Sequence, residues 1–200
     1  MNFVTLLQAY PVIPALRFEG QKTIDLSPIR WGGPCFLLDG NLNTIHENLE
    51  KIEKYFSAFF LHLDLFSGLS PDSDGLIFLK NHIQKINGII STRSRTISFA
   101  KKQGFMTIFR IFLLDSESLN TGLKVASQLS PDAIEILPGI IFPFIRKQIP
   151  ARNLPPIICG GFIRNNREVK AILQSGAMAV STSSPDLWTI DRTFLLKNKG

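Results

Sequence analysis

Apolar residues in this chain gather into short unbroken runs, and the segments between them carry their apolar residues three and four positions apart. An unbroken apolar run suits a strand covered on both faces, whereas the longer period suits a helix with one buried side. The alternation therefore predicts successive β-α units building a parallel sheet. Eight strands are expected, over Val12 to Leu16, Cys35 to Leu38, Phe59 to Leu63, Gly88 to Ile90, Phe105 to Leu113, Ala133 to Ile136, Pro156 to Cys159 and Met178 to Ser181. Helical spacing is clearest over Asn43 to Phe56 and Asn165 to Ser175. Ser70-Pro71-Asp72-Ser73-Asp74 reads as a helix start, and Gly104 and Gly176 fall where helices should stop.

Eight repeats point to a closed barrel, because a doubly wound open sheet usually has fewer strands. The fold class expected is α/β, a compact (β/α)8 TIM-type barrel with short loops, residues 1–200 forming a single domain. The irregular, Gly- and Pro-containing stretch from about Phe18 to Pro34 is expected to replace the first barrel helix with a crossover. No apolar run reaches the roughly 18 residues of a membrane span, and a secretory leader pattern is missing at the N-terminus, so a cytoplasmic protein is expected. Cys35 and Cys159 sit in apolar runs without nearby ligand partners and read as buried thiols, not metal ligands. A closed barrel has no free sheet edge, so any homo-oligomer would pair helices or loops.

Polar residues inside the predicted strands carry the candidate chemistry. Side chains alternate along a strand, which points His62 and Asp64 of Phe60-Leu61-His62-Leu63-Asp64-Leu65 into the barrel. Arg110 and Glu135 interrupt apolar runs in the same way, and opposite charges in one barrel are expected to pair, Arg110 with either Glu135 or Asp64. Each of these groups either orders the core or reaches a ligand at the mouth. Arg17, Thr92 and Arg93 follow strands one and four, where barrel ligands are contacted, while Asp39 ends strand two beside Gly40, a position that suits a turn as well as a ligand contact. The most specific pattern is near the C-terminus, where Cys159-Gly160-Gly161-Phe162-Ile163-Arg164 and Gly176 to Ser183 follow one another across a helix-like stretch. Loops after the last two strands of such a barrel commonly cradle phosphate, and glycines and small hydroxyl residues suit that task. A small phosphorylated metabolite is the expected ligand. No lysine lies in any predicted strand, which removes Schiff-base mechanisms, although His62, Asp64 and Glu135 could still do acid-base chemistry.

The net charge of +6 favours a polyanionic partner. Its basic groups cluster as Arg93, Arg95, Lys101 and Lys102, as Arg146, Lys147 and Arg152, and as Arg164, Arg167 and Lys170, groups that permit nucleic-acid binding but equally suit solvated helix faces.

At these residues the chain resembles the glycerol uptake operon antiterminator regulatory proteins. The matching stretches run in order from Pro11-Val12-Ile13-Pro14-Ala15-Leu16-Arg17 through His62-Leu63-Asp64-Leu65, Gly88 to Arg93, Arg110 to Ser116, Ile134 to Ile140, Gly160-Gly161 and Gly176 to Trp188. The resemblance implies a cytosolic regulator that senses glycerol 3-phosphate and binds the leader mRNA of glycerol operons, preventing premature termination. For the RNA contact the candidates are Arg164, Arg167 and Lys170, and from the residues themselves no cofactor, metal or membrane partner is expected. Carried onto this sequence, the resemblance puts the phosphate against Gly160, Gly161, Ser181, Thr182 and Ser183, with His62, Asp64, Arg93, Arg110 and Glu135 around the mouth. The chain departs from the family pattern at Phe109, at Phe162 and around Ile141-Phe142-Pro143, changes that bear on pocket shape. Two other readings stand beside it: a small phosphate-binding barrel isomerase or lyase, and a metabolite-binding protein acting through a protein partner.

Overall fold

The computed structural model of the protein describes residues 3–18, 26, 29, 32–150 and 153–190. Helix α1 (Phe3–Ala9) comes first, and eight parallel strands follow: β1 (Val12–Leu16), β2 (Gly33–Leu37), β3 (Phe56–His62), β4 (Ile86–Ser91), β5 (Met106–Phe112), β6 (Ala133–Leu137), β7 (Ile157–Gly160) and β8 (Ala179–Thr182). They lie side by side in chain order, and β8 pairs back onto β1 with Val12 opposite Val180, closing the barrel. Every predicted strand is present. The largest boundary change is at β3, which begins three residues early because Phe56 pairs with Gly33 of β2 and its ring packs 5.9 Å from that of Phe59. Phe56 therefore belongs to the sheet and not to the preceding helix, α2 (Ile45–Ile52). The crossover expected from Phe18 to Pro34 lies largely outside the described residues.

Helices α3 (Ser73–His82), α4 (Ser94–Lys102), α5 (Ser116–Leu129), α6 (Phe142–Ile145) and α7 (Asn166–Gln174) pack outside the ring. Their ends follow local chemistry. Asp72 Oδ1 accepts from the N–H groups of Asp74 and Gly75 at the start of α3, satisfying donors that a helix N-terminus leaves unpaired. Gly104 and Gly176 adopt φ of +76° and +103° just beyond α4 and α7, a left-handed stop that glycine takes without strain. No described helix is long and apolar enough to cross a membrane.

Strand alternation divides the apolar residues into two cores. One face sends Cys35, Leu61, Ile89, Ile134, Cys159 and Val180 outward against the helices. The other sends Ile13, Phe36, Phe60, Ile90, Ile108, Ala133, Ile158 and Ala179 into the barrel, where Phe3, Leu6 and Leu7 of α1 join them. The rings of Phe3 and Phe36 lie 4.9 and 5.7 Å from that of Phe60, so α1 plugs the amino-terminal end of the ring. The inner core is filled so closely that a Cβ on Gly88 would fall 2.3 Å from the Phe60 ring. Gly88→Ala is thus expected to lower the unfolding free energy by about 1–3 kcal/mol in urea titrations through overpacking. Combining it with Phe60→Leu should cost less than the two single changes added together, because the neighbours share one space.

Candidate functional site

Polar side chains replace the apolar ones one layer nearer the carboxyl ends of the strands. His62, Arg110, Glu135 and Ser181 each stand two residues beyond an inner-core residue, namely Phe60, Ile108, Ala133 and Ala179, and so share the same inward face. Register places Arg110 opposite Glu135 and Ser181 opposite Gly160. Arg110 Nε donates to Glu135 Oε2 at 2.7 Å, with side-chain exposures of 6% and 1%. Ser181 Oγ donates to the other carboxylate oxygen at 2.5 Å. A Cβ on Gly160 would fall 2.4 Å from that hydroxyl and 2.9 Å from Glu135 Oε1. Glycine at 160 is therefore what admits the Ser181 to Glu135 bond. Of the two pairings open to Arg110 in the sequence, Glu135 takes it.

His62 completes the layer differently. Both ring nitrogens are buried with no hydrogen-bond partner among the described residues, so the imidazole does not pair with Asp64. Burial, helped by the nearby Arg110 charge and opposed by Asp64 and Glu135, pushes its pKa down from 6.5 to about 4. At neutral pH the ring is uncharged.

Above this layer opens a cleft of about 320 Å³. Arg110 and Glu135 form its floor, Arg17 stands on one side, Leu137, Gly161, Phe162 and Ile163 on another, and Ser181, Thr182, Ser183 and Ser184 on a third. The loop after β7 bends sharply, with φ of +85° at Gly161 and +60° at Phe162. Thr182 braces the loop after β8: its Oγ1 accepts the Ser184 N–H at 3.1 Å and its carbonyl accepts Trp188 Nε1 at 2.9 Å.

Several residues singled out in the sequence take other positions. Gly160 is buried behind the lining and acts by lacking a side chain, whereas Gly161 reaches the cleft. His62, Asp64, Thr92 and Arg93 also lie outside the lining. Strand β3 ends at His62, and Asp64 sits in a 3-10 turn where it accepts Ser91 Oγ at 2.6 Å and both the N–H and hydroxyl of Thr92 at 2.7 Å. Burial raises the Asp64 pKa, but these hydrogen bonds together with His62 outweigh it and leave the carboxyl below its ordinary value. Asp64 clasps two neighbouring loops. Asp39 does likewise, accepting the Phe18 N–H at 2.7 Å and Arg17 Nη1 at 3.3 Å. Arg164 and Arg167 are exposed on the loop and helix that leave β7, with Lys170 half-buried one turn further on. The sequence reading missed Ala15, Leu38, Leu137, Ile163 and Ser184 in the lining. Leu38 and Leu137 could have been found by continuing the inward alternation past Phe36 and Glu135.

Among the described residues no three His, Cys, Asp or Glu side chains converge as a metal site. No barrel strand contains lysine. The polar floor, flanking arginine and hydroxyl-rich loop instead suit an anionic ligand carrying hydroxyl groups.

Comparison with known proteins agrees with that chemistry. A family model described as glycerol-3-phosphate responsive antiterminator matches residues 12–188. The uncharacterized protein YgcP of Escherichia coli is 30% identical over 198 residues, covering 98% of this chain and all of that protein. A glycerol uptake operon antiterminator regulatory protein of Listeria monocytogenes superposes with a TM-score of 0.77 at 32% identity, covering 88% of this chain and 94% of its own. An antiterminator-related protein of Thermotoga maritima gives 0.77 at 27%, covering 91% and 99%. The aldolase QR15, at 11% identity and a TM-score of 0.67 over 94% of this chain and 96% of its own, shares the fold alone.

The buried histidine gives the site a pH signature. Its folded pKa of about 4 lies below the ordinary 6.5, so the unfolded chain binds the extra proton between those values. Stability should be complete above pH 6.5 and fall as pH drops toward 4, by about 3 kcal/mol in all. Chemical denaturation across this range should show that His62→Leu flattens the slope; an unchanged slope would contradict the assignment.

Proposed function

This chain belongs to the glycerol-3-phosphate responsive antiterminator family, and from that premise we propose that the cleft over Arg110 and Glu135 is its glycerol 3-phosphate sensor site. The observation that carries the reading is a nearly buried arginine whose Nε is fixed by Glu135 at 2.7 Å while its side chain still lines a cleft rich in hydroxyl groups. A phosphate dianion lies against Gly161, Ser181, Thr182 and Ser183, within reach of Arg110 and Arg17, with Gly160 leaving the room behind them. Glu135 accepts from a ligand hydroxyl. His62, Asp64, Thr92 and Arg93 support the mouth from behind the lining.

The protein acts in the cytoplasm as a regulator, on the leader mRNA of glycerol uptake and metabolism operons. Arg164, Arg167 and Lys170 follow directly from the loop that bears Gly161, so filling the cleft orders that loop and shifts the population toward one presentation of the basic surface. Counterion release from the RNA supplies most of the affinity.

Glycerol 3-phosphate should stabilise the protein by about 2.7 kcal/mol at a hundredfold excess over its Kd, and glycerol alone should not. Arg110→Met should abolish that shift in thermal melts; full retention would refute the site. Filter binding should show tighter capture of leader RNA with the metabolite present, and a combined Arg164→Gln, Arg167→Gln and Lys170→Gln variant should flatten the salt dependence by about two in log-log slope. Equal RNA affinity with and without metabolite would refute the gating.

A further inference from the structure

Large apolar side chains stand in solvent around the carboxyl-terminal mouth of the barrel: Phe162 is 69% exposed and Phe112 is 54% exposed. Phe162 is also a non-glycine residue at φ +60°, in the left-handed region. Exposure of the ring and this backbone conformation both work against folding, so neither is explained by stability. The two rings belong to one surface. Phe112 ends β5 in register with Leu137 of β6, and a Cβ on Gly161 would lie 3.7 Å from Leu137 Cδ2, immediately before Phe162. An apolar line thus crosses the ends of β5, β6 and β7, with Phe162 and Leu137 in the wall of the cleft and Phe112 next to them outside it.

Arginines flank that line. Arg164 is exposed two residues beyond Phe162, the Arg93 side chain is 60% exposed after β4, the strand beside β5, and that of Arg17 is 47% exposed on the cleft. Aromatic faces interleaved with guanidinium groups match unpaired nucleotides, whose bases stack while their phosphates pair. A second copy of the chain fits less well, since a two-fold contact through this face would bring the same arginines together on proteins of net charge +6.

We propose that Phe162 and Phe112 are stacking platforms for the bases of single-stranded RNA, placing the RNA contact on the rim of the metabolite cleft. This rests on the RNA-binding reading given above and narrows it to a surface and a mode. The bound metabolite and the RNA then share the Phe162 loop, which gives the ligand a short route to RNA affinity.

The test uses the whole protein, with fluorescence anisotropy of a labelled mixed-sequence single-stranded RNA and, as a probe with phosphates but no bases, inorganic polyphosphate. Phe162→Gly suits the left-handed backbone, so its melting temperature should hold or rise while RNA affinity falls about tenfold. Phe112→Ser should cost a similar factor, Phe162→Trp should restore binding, and polyphosphate affinity should stay unchanged throughout. Unaltered RNA affinity in both loss variants would overturn the proposal while leaving metabolite-gated RNA binding intact. So would loss of glycerol 3-phosphate binding with RNA binding retained, which would make the ring a cover for the metabolite, or loss of a dimer in sedimentation. If the wild-type protein binds no RNA at all, the functional reading fails together with this one.

Discussion

The ion pair between Arg110 and Glu135 is the constraint from which the upper half of the barrel follows. Neither charge is tolerable alone in a dry interior, and removing one partner of such a pair typically costs about 3–5 kcal/mol. Glu135 is held on both oxygens, by Arg110 from β5 and by Ser181 from β8, so a single carboxylate on β6 ties together the two strands that flank the β6–β7 pair. Gly160 of β7, lying between, must then carry no side chain. The apolar layers below end where this bonded layer begins, and the cleft is the space above it.

Three carboxylates close to a proposed anion site would ordinarily repel the ligand. Here each is committed to a partner within the protein. Glu135 accepts from Arg110 and Ser181, Asp64 from Ser91 and Thr92, and Asp39 from Arg17 and the Phe18 backbone. Their negative charge is thereby used to set the geometry of the mouth, tying the loops after β1 and β2 and those after β3 and β4. The loops after β7 and β8, which carry the proposed phosphate contacts, are not joined to each other by a carboxylate among the described contacts; Glu168 instead accepts the Arg164 N–H within the first of them at 2.6 Å.

The barrel was readable in the sequence because strands buried on both faces produce unbroken apolar runs, and a charge inside such a run, as at Arg110 and Glu135, stands out against them. Partner choice was not readable: the pairing of Arg110 with Glu135 and not Asp64 depends on inter-strand register, which no local pattern encodes. Asp64 illustrates the same limit. The inward alternation holds through His62, but the chain leaves the strand there, and a 3-10 turn swings the carboxylate toward the next loop. Helix α1 as a plug also escaped notice, although Phe3, Leu6, Leu7 and Tyr10 have the three- and four-residue spacing that marks it. Exposed rings such as Phe162 are invisible to any rule that sends phenylalanine to the core.

The central claim is that Arg110, already oriented by Glu135, receives the phosphate. Its Nε–H resonance, identified by its loss in Arg110→Lys and followed by proton–nitrogen NMR during titration with glycerol 3-phosphate, reports on the guanidinium whose remaining N–H groups face the phosphate. The account predicts a saturable shift of this signal that glycerol cannot produce. A signal that stays fixed while the metabolite saturates resonances elsewhere in the protein would contradict it.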